Sequence, residues 1–120
     1  MVILNYLFWG PWTLTTMDAI DCPSVYLILA RTLRGRPVPY VGQKGSILWD
    51  GTRYPVIYAG ENGPSEIALT SSSMVAEWKR WSIGELSVTF MSTPSETYST
   101  NERLVIVREI VEVYRPPCNN

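Results

Sequence analysis

The apolar run Ser24-Val25-Tyr26-Leu27-Ile28-Leu29-Ala30 dominates the hydropathy pattern of the chain. Val, Tyr and Ile suit a pleated, half-buried surface, and Pro23 keeps any helix from continuing into the run. The segment reads as an interior strand of an antiparallel sheet. Ahead of it, Val2-Ile3-Leu4-Asn5-Tyr6-Leu7-Phe8-Trp9 reads as a short strand or an apolar arm that needs cover. Trp9-Gly10-Pro11-Trp12 reads as a turn with two large aromatics. Buried indoles are the commoner outcome, whereas an exposed pair would mark a partner surface. Residues 13–21 form a polar connection with room for one helical turn.

Beyond the central run, Leu33-Arg34-Gly35-Arg36-Pro37 has turn chemistry, and residues 38–43 return as a second strand. Pro39 places that strand at an edge or delays its start. Asp50-Gly51 between Ile47-Leu48-Trp49 and Thr52-Arg53-Tyr54 signals a hairpin. Pro55-Val56-Ile57-Tyr58-Ala59 continues as a strand, ended by Gly60 and the turn-rich Glu61-Asn62-Gly63-Pro64. Met74, Trp78 and Trp81 fall on one face of a helix starting after Ser71-Ser72-Ser73, with Lys79 and Arg80 beside that stripe. Leu86, Val88 and Phe90 alternate with Ser87, Thr89 and Met91, which predicts a half-exposed strand. In the last helix, Ser99-Thr100-Asn101-Glu102 fits a capping box, and Leu104, Val107, Val111 and Tyr114 line the apolar face with Ile110 beside it. Pro116 and Pro117 end it, although the β-branched residues 105–107 would also suit a strand.

At 120 residues, 46% of them hydrophobic and 18% charged, the chain is expected to be one α+β domain over 1–120 with an apolar arm at 1–21. Net charge is −1, which rules out a global positive field. The charge is uneven, however. Arg31, Arg34, Arg36, Lys44 and Arg53 lie between residues 31 and 53 against a lone Asp50. Arg31, Arg34, Arg36 and Lys44 are candidates for phosphate contacts, although a solvated loop face is the commoner meaning of such a cluster. Cys22 and Cys118 lack metal-type spacing and histidine is absent, so a zinc site is not expected and the cysteines read as reduced. The amino-terminal apolar run is short and has no basic leader; it reads as neither a signal peptide nor a membrane span, and a cytoplasmic protein is expected.

Tyr26 on the central strand is followed by two Tyr-x-Gly tripeptides, Tyr40-Val41-Gly42 and Tyr58-Ala59-Gly60, and the chain closes with Tyr114-Arg115-Pro116-Pro117-Cys118-Asn119. This combination, spanning about residues 22–119, resembles the GIY-YIG nuclease superfamily. The resemblance implies a small antiparallel sheet flanked by helices and carrying two tyrosines. A following helix would supply an arginine, a later helix a metal-binding glutamate, and an asparagine would close the domain. It implies hydrolysis of a phosphodiester in DNA or RNA with Mg²⁺ or Mn²⁺, because that reaction needs a positioned nucleophile and positive charge where the oxygens gain negative charge. Tyr26, Tyr40 or Tyr58, Arg53 or Arg80, and Asn119 are the residues implied. Tyr26 is expected at a concave surface and not in the hydrophobic core.

Two departures stand out. Ser24 occupies the first motif's glycine position, and Val107 falls where the metal-binding glutamate belongs. Glu109 is two residues on, about 200° around a helix, and Glu102 is accounted for as a cap. Either tripeptide can serve as the second motif; residues 58–60 do so only if a hairpin is inserted between the two motif strands. Two functions therefore stay open: a metal-dependent nuclease whose activity is weakened, or a catalytically silent module of the same fold that binds nucleic acid or a protein. An unrelated small α+β binding protein is a third reading. The aromatic amino-terminal arm is a candidate surface for a protein partner or a second copy; no membrane association is expected.

Overall fold

Every residue of the strand formed at the central run, Ser24–Leu29, is buried, because the sheet around it is covered on both sides. The computed structural model describes residues 1–14, 22–34, 45–62 and 72–119. In chain order the strands are β1 (Val2–Ile3), β2 (Tyr6–Leu7), β3 (Trp9–Thr13), β4 (Ser24–Leu29), β5 (Thr32–Leu33), β6 (Ser46–Trp49), β7 (Thr52–Asn62), β8 (Ser82–Ile83) and β9 (Ser87–Ser92). The helices are α1 (Ser72–Trp81) and α2 (Thr100–Tyr114), followed by a 3₁₀ turn at Pro117–Asn119. Five strands form one antiparallel sheet in the order β3-β9-β4-β7-β6, so the central run is interior, as its pattern predicts. Among the described residues the fold is a mixed one, with a single larger antiparallel sheet and two helices.

Successive residues of a strand point to opposite faces, and β4 divides its side chains between two cores accordingly. Val25, Leu27 and Leu29 pack with Ile106 and Ile110 of α2 and with Ile3 and Phe8 from the amino terminus. Tyr26, Ile28 and Ala30 pack with Trp78 of α1 and with Leu86 and Val88. The register on β7 slips between Ile28↔Tyr58 and Leu29↔Val56, which leaves Ile57 as an extra residue. Such a bulge turns two consecutive side chains to one face. Ile57 and Tyr58 both reach the α1 side, while Val56 and Ala59 reach the α2 side.

The Asp50-Gly51 hairpin forms as its sequence signals. Both residues have positive φ, 50° and 76°, the two-residue loop geometry that suits the twist of the flanking strands. The capping box of α2 forms as well, Ser99 Oγ accepting from the Glu102 N–H and Glu102 Oε1 accepting from the Ser99 N–H. Arg115 closes that helix in the left-handed conformation. The amino-terminal arm folds back as the β1–β2 hairpin and lays Ile3 and Phe8 into the core.

Several expectations are corrected. Trp9-Gly10-Pro11-Trp12 is not a turn but part of edge strand β3, with a register shift between Trp9 and Trp12. Gly60 does not end its strand, because Val25 and Ser24 offer partners as far as Asn62. Strand β9 is not half-exposed: Val88, Thr89 and Met91 are buried, since it lies between β3 and β4 with cover on both faces. On α2 the buried stripe is Arg103, Ile106 and Ile110, whereas Val107, Val111 and Tyr114 form its half-buried margin and Leu104 is exposed. The expected strand at 38–43 and most of the connection at 13–21 lie outside the described residues. Among the described residues, no helix is long and apolar enough to cross a membrane.

Arg103 is 1% exposed, and its Nε donates to Glu61 Oε2 at 3.0 Å while Nη2 donates to Thr100 Oγ1 at 3.0 Å. Removing one partner of a buried ion pair strands the other charge in a poor solvent. Glu61→Ala is therefore expected to lower the unfolding free energy by about 3 kcal/mol in urea titrations. Arg80→Ala, which breaks the exposed Arg80–Glu77 pair, should cost less than about 1 kcal/mol. Equal costs would show that the Arg103–Glu61 pair is no better shielded than one at the surface.

Candidate functional site

Residues directly opposite one another in an antiparallel ladder lie on the same face. The register runs Trp9↔Phe90↔Tyr26↔Gly60 across four strands, and the neighbouring row runs Trp12↔Val88↔Ile28↔Tyr58. Both rows lie on the α1 side of the sheet. Helix α1 covers the β4–β7 end of them, with the Trp78 ring 5.2 Å from Tyr58 and the Tyr58 ring 6.1 Å from Tyr26. A Cβ on Gly60 would stand 2.8 Å from Tyr26 Oη and Tyr58 Cε2, and 2.9 Å from Tyr26 Cζ. The Tyr26 ring thus leans over the Gly60 backbone, and glycine is what permits it.

This packing overturns the expected position of Tyr26. The residue is 4% exposed and belongs to the α1-side core, because Trp78, Tyr58 and Phe90 gather around it. Tyr58 is half-buried in the same cluster. Ser24 sits in β4 without positive φ, so serine costs no backbone strain at the motif's glycine position. The Asn119 side chain meets Ala59 twice, Oδ1 accepting from the Ala59 N–H and Nδ2 donating to the Ala59 carbonyl, each at 2.8 Å. It does for β7 what a neighbouring strand would do.

The arginines are spread out. Arg53 donates to Ser46 Oγ at 3.2 Å on the β6–β7 hairpin. Arg31 donates to the Tyr54 hydroxyl at 3.4 Å, with its guanidinium 5.9 Å from that ring centre. Arg34 and Arg80, by contrast, come together with Lys79. A cavity of about 700 Å³ is lined by Thr13, Leu14, Arg34, Lys79, Glu85 and Leu86 among others, and one of about 500 Å³ by Arg34, Ala76, Lys79 and Arg80. The two share Arg34 and Lys79, so they form one basic recess between α1 and the turn after β5. Sequence reasoning misses Lys79 as a phosphate candidate, because it lies far along the chain from Arg34 and only the pairing of β5 with β8 brings them together. Tyr40, Arg36 and Lys44 lie outside the described residues.

Three of the carboxylates hold other partners. Glu61 holds Arg103, Glu102 caps α2, and Glu109 accepts from the Tyr6 hydroxyl at 3.0 Å. Val107 is half-buried against the α2-side core. Among the described residues, no three His, Cys, Asp or Glu side chains are grouped to hold a metal ion. No protein-family model, curated protein or solved structure matches the chain.

Burial also sets the acid–base behaviour. It pushes the Cys118 thiol up from 9.0 to about 11, with the Glu77 charge adding to the effect. Burial raises Tyr114 too, and Tyr6 is raised by desolvation and then by its bond to Glu109. Each of these groups binds its proton more tightly when folded, so the stability it contributes is complete below its unfolded value and is lost as pH rises through the folded one. For Cys118 the window is about pH 9 to 11. Thermal melts should therefore fall across that window, and Cys118→Ser should reduce the fall; an unchanged fall would assign it to other groups. Gly60→Ala should destabilise by about 1–3 kcal/mol through overpacking. Tyr26→Phe should not rescue it, because Cζ remains as close as the hydroxyl. Full rescue would show that the hydroxyl alone needs the space.

Proposed function

We propose that the chain is a GIY-YIG-like module that binds nucleic acid through its phosphates and does not cleave it. The observation that carries this reading is the basic recess of Arg34, Lys79 and Arg80, together with the burial of Tyr26. Anionic phosphate is the ligand that such a cluster of cations attracts. A phenol sealed in a core cannot present its oxygen to a scissile phosphate. Glu85 at the rim and Glu77 beside Arg80 offset part of the positive charge, which points to moderate and salt-sensitive binding.

The family resemblance finds support in the pairing of β4 with β7. It sets Tyr58-Ala59-Gly60 against residues 26–28, as two motif strands would be set, with the β6–β7 hairpin as the insertion between them. Asn119 on Ala59 agrees with a closing residue whose role is structural. Under this reading Tyr26 and Tyr58 are retained as packing, and Val107 as core. Cleavage is the second reading, favoured only by that strand pairing.

Two measurements test the proposal. Binding of a labelled duplex should weaken steeply with salt, and replacing Arg34 and Lys79 together by alanine should flatten the log–log slope by roughly 0.9 for each phosphate no longer neutralised. Arg53→Ala, at a residue that does not line the recess, should leave the slope unchanged. If the double variant keeps the full slope, the recess is not the phosphate site. Plasmid incubated with Mg²⁺ or Mn²⁺ should stay intact; metal-dependent nicking abolished by Tyr26→Phe would restore the nuclease reading.

A further inference from the structure

We infer that the α1-side surface of edge strand β3 is a stacking platform for single-stranded nucleic acid, with Trp9 and Trp12 receiving bases. The inference deepens the phosphate-binding reading and rests on it. Among the described residues, helix α1 covers the β4–β7 end of the aromatic rows, and Val88 of β9 is buried on the same side. Burial gives way at the edge strand: Tyr26 is 4% exposed, Val88 is buried and Phe90 half-buried, whereas Trp9 is 55% and Trp12 47% exposed. Both indoles share a face with the ladder partners Phe90 and Val88. A Cβ at Gly10 would come within 2.9 Å of Trp12 Cδ1, so this indole lies against the Gly10 backbone and not upright in solvent.

Leaving two indoles open to water forfeits a large apolar gain, and adjacent exposed aromatics mark binding surfaces. Charge selects the occupant. Leu14, two residues beyond Trp12, lines the basic recess with Arg34 and Lys79, and Leu86, two residues before Val88, lines it too. Leu14 packs against the α1-side core as well, so the chain leaving Trp12 runs on that side into the recess of cations. Flat aromatic surface beside positive charge matches a ligand that alternates bases with phosphates. A duplex keeps its base faces stacked internally and cannot use the indoles. A β-strand partner is disfavoured as well, because Pro11 has no N–H and the shift between Trp9 and Trp12 breaks the edge ladder.

The test uses the full chain with a fluorescein-labelled oligothymidine 12-mer and a duplex of the same length, followed by anisotropy. The single strand should bind more tightly than the duplex and quench the tryptophan emission of the wild-type protein. Trp9→Ala and Trp12→Ala should each weaken single-strand binding by about 5- to 150-fold, the range for removing one base stack, with the salt slope unchanged. Trp12→Phe should recover much of the loss. The Arg34→Ala, Lys79→Ala double variant should instead flatten the slope and keep the preference for the single strand. Wild-type affinity in both tryptophan variants, with the slope still sensitive to Arg34 and Lys79, would overturn the platform and leave phosphate binding standing. Absence of binding to either oligonucleotide would overturn both readings. If an alanine variant melts early, the quenching lost from wild type to Trp9→Phe and Trp12→Phe decides the matter. Sedimentation showing a wild-type dimer that Trp9→Ala dissociates would assign the face to a second copy and overturn the inference.

Discussion

Burying β4 on both faces obliges the chain to supply cover twice, and most of the architecture follows from that demand. One cover is α2 with the amino-terminal hairpin, which places Ile106, Ile110, Ile3 and Phe8 over Val25, Leu27 and Leu29. The other is α1, which places Trp78 over Tyr26 and Tyr58. Because the strand has partners on both edges, its backbone groups are paired in the ladder, and the two faces can be dry without leaving orphaned backbone groups. Losing either cover would expose alternate residues of the same strand.

Strand β7 carries the second layer of constraint. Its bulge at Ile57 lets consecutive residues serve one core, and its far edge is closed at Ala59 by the Asn119 amide. Two residues further on, Glu61 receives the Arg103 guanidinium from α2. That ion pair sets the docking of helix on sheet more sharply than apolar packing does, since a buried guanidinium demands a partner at a particular place while methyl groups slide. The carboxy-terminal turn and α2 are thus both anchored to a single strand.

The same geometry decides which aromatics are structure and which are surface. Tyr26, Tyr58 and Trp78 form one packed group under α1, and the glycine of Tyr58-Ala59-Gly60 is explained by the ring resting on it. Chemistry at Tyr26 is hard to reconcile with that burial. Trp9 and Trp12 are exposed on the edge strand, and Leu14 just beyond it lines a recess with Arg34 and Lys79. The surface that looks most like a ligand site is therefore displaced from the tyrosines that suggest one in the sequence.

What the sequence determined by itself was local. The run at 24–30 had to be an interior strand because it is apolar at consecutive positions, Asp50-Gly51 had to turn because both residues tolerate positive φ, and Ser99 with Glu102 had to start a helix because each caps the other. These depend on neighbours within a few residues. Tertiary structure alone decided that Arg103 lies inside and Leu104 outside, since the partner Glu61 is forty-two residues away and a charged side chain reads as exposed until that partner is known. It also decided that Tyr26 is core and Trp9 is surface, because both are aromatic strand residues, and the order of the strands with the helix packed on them seals one and leaves the other at the edge. The grouping of Arg34 with Lys79 was invisible for the same reason: a charge shows its sign in sequence, but its neighbours in space are set by which strands pair.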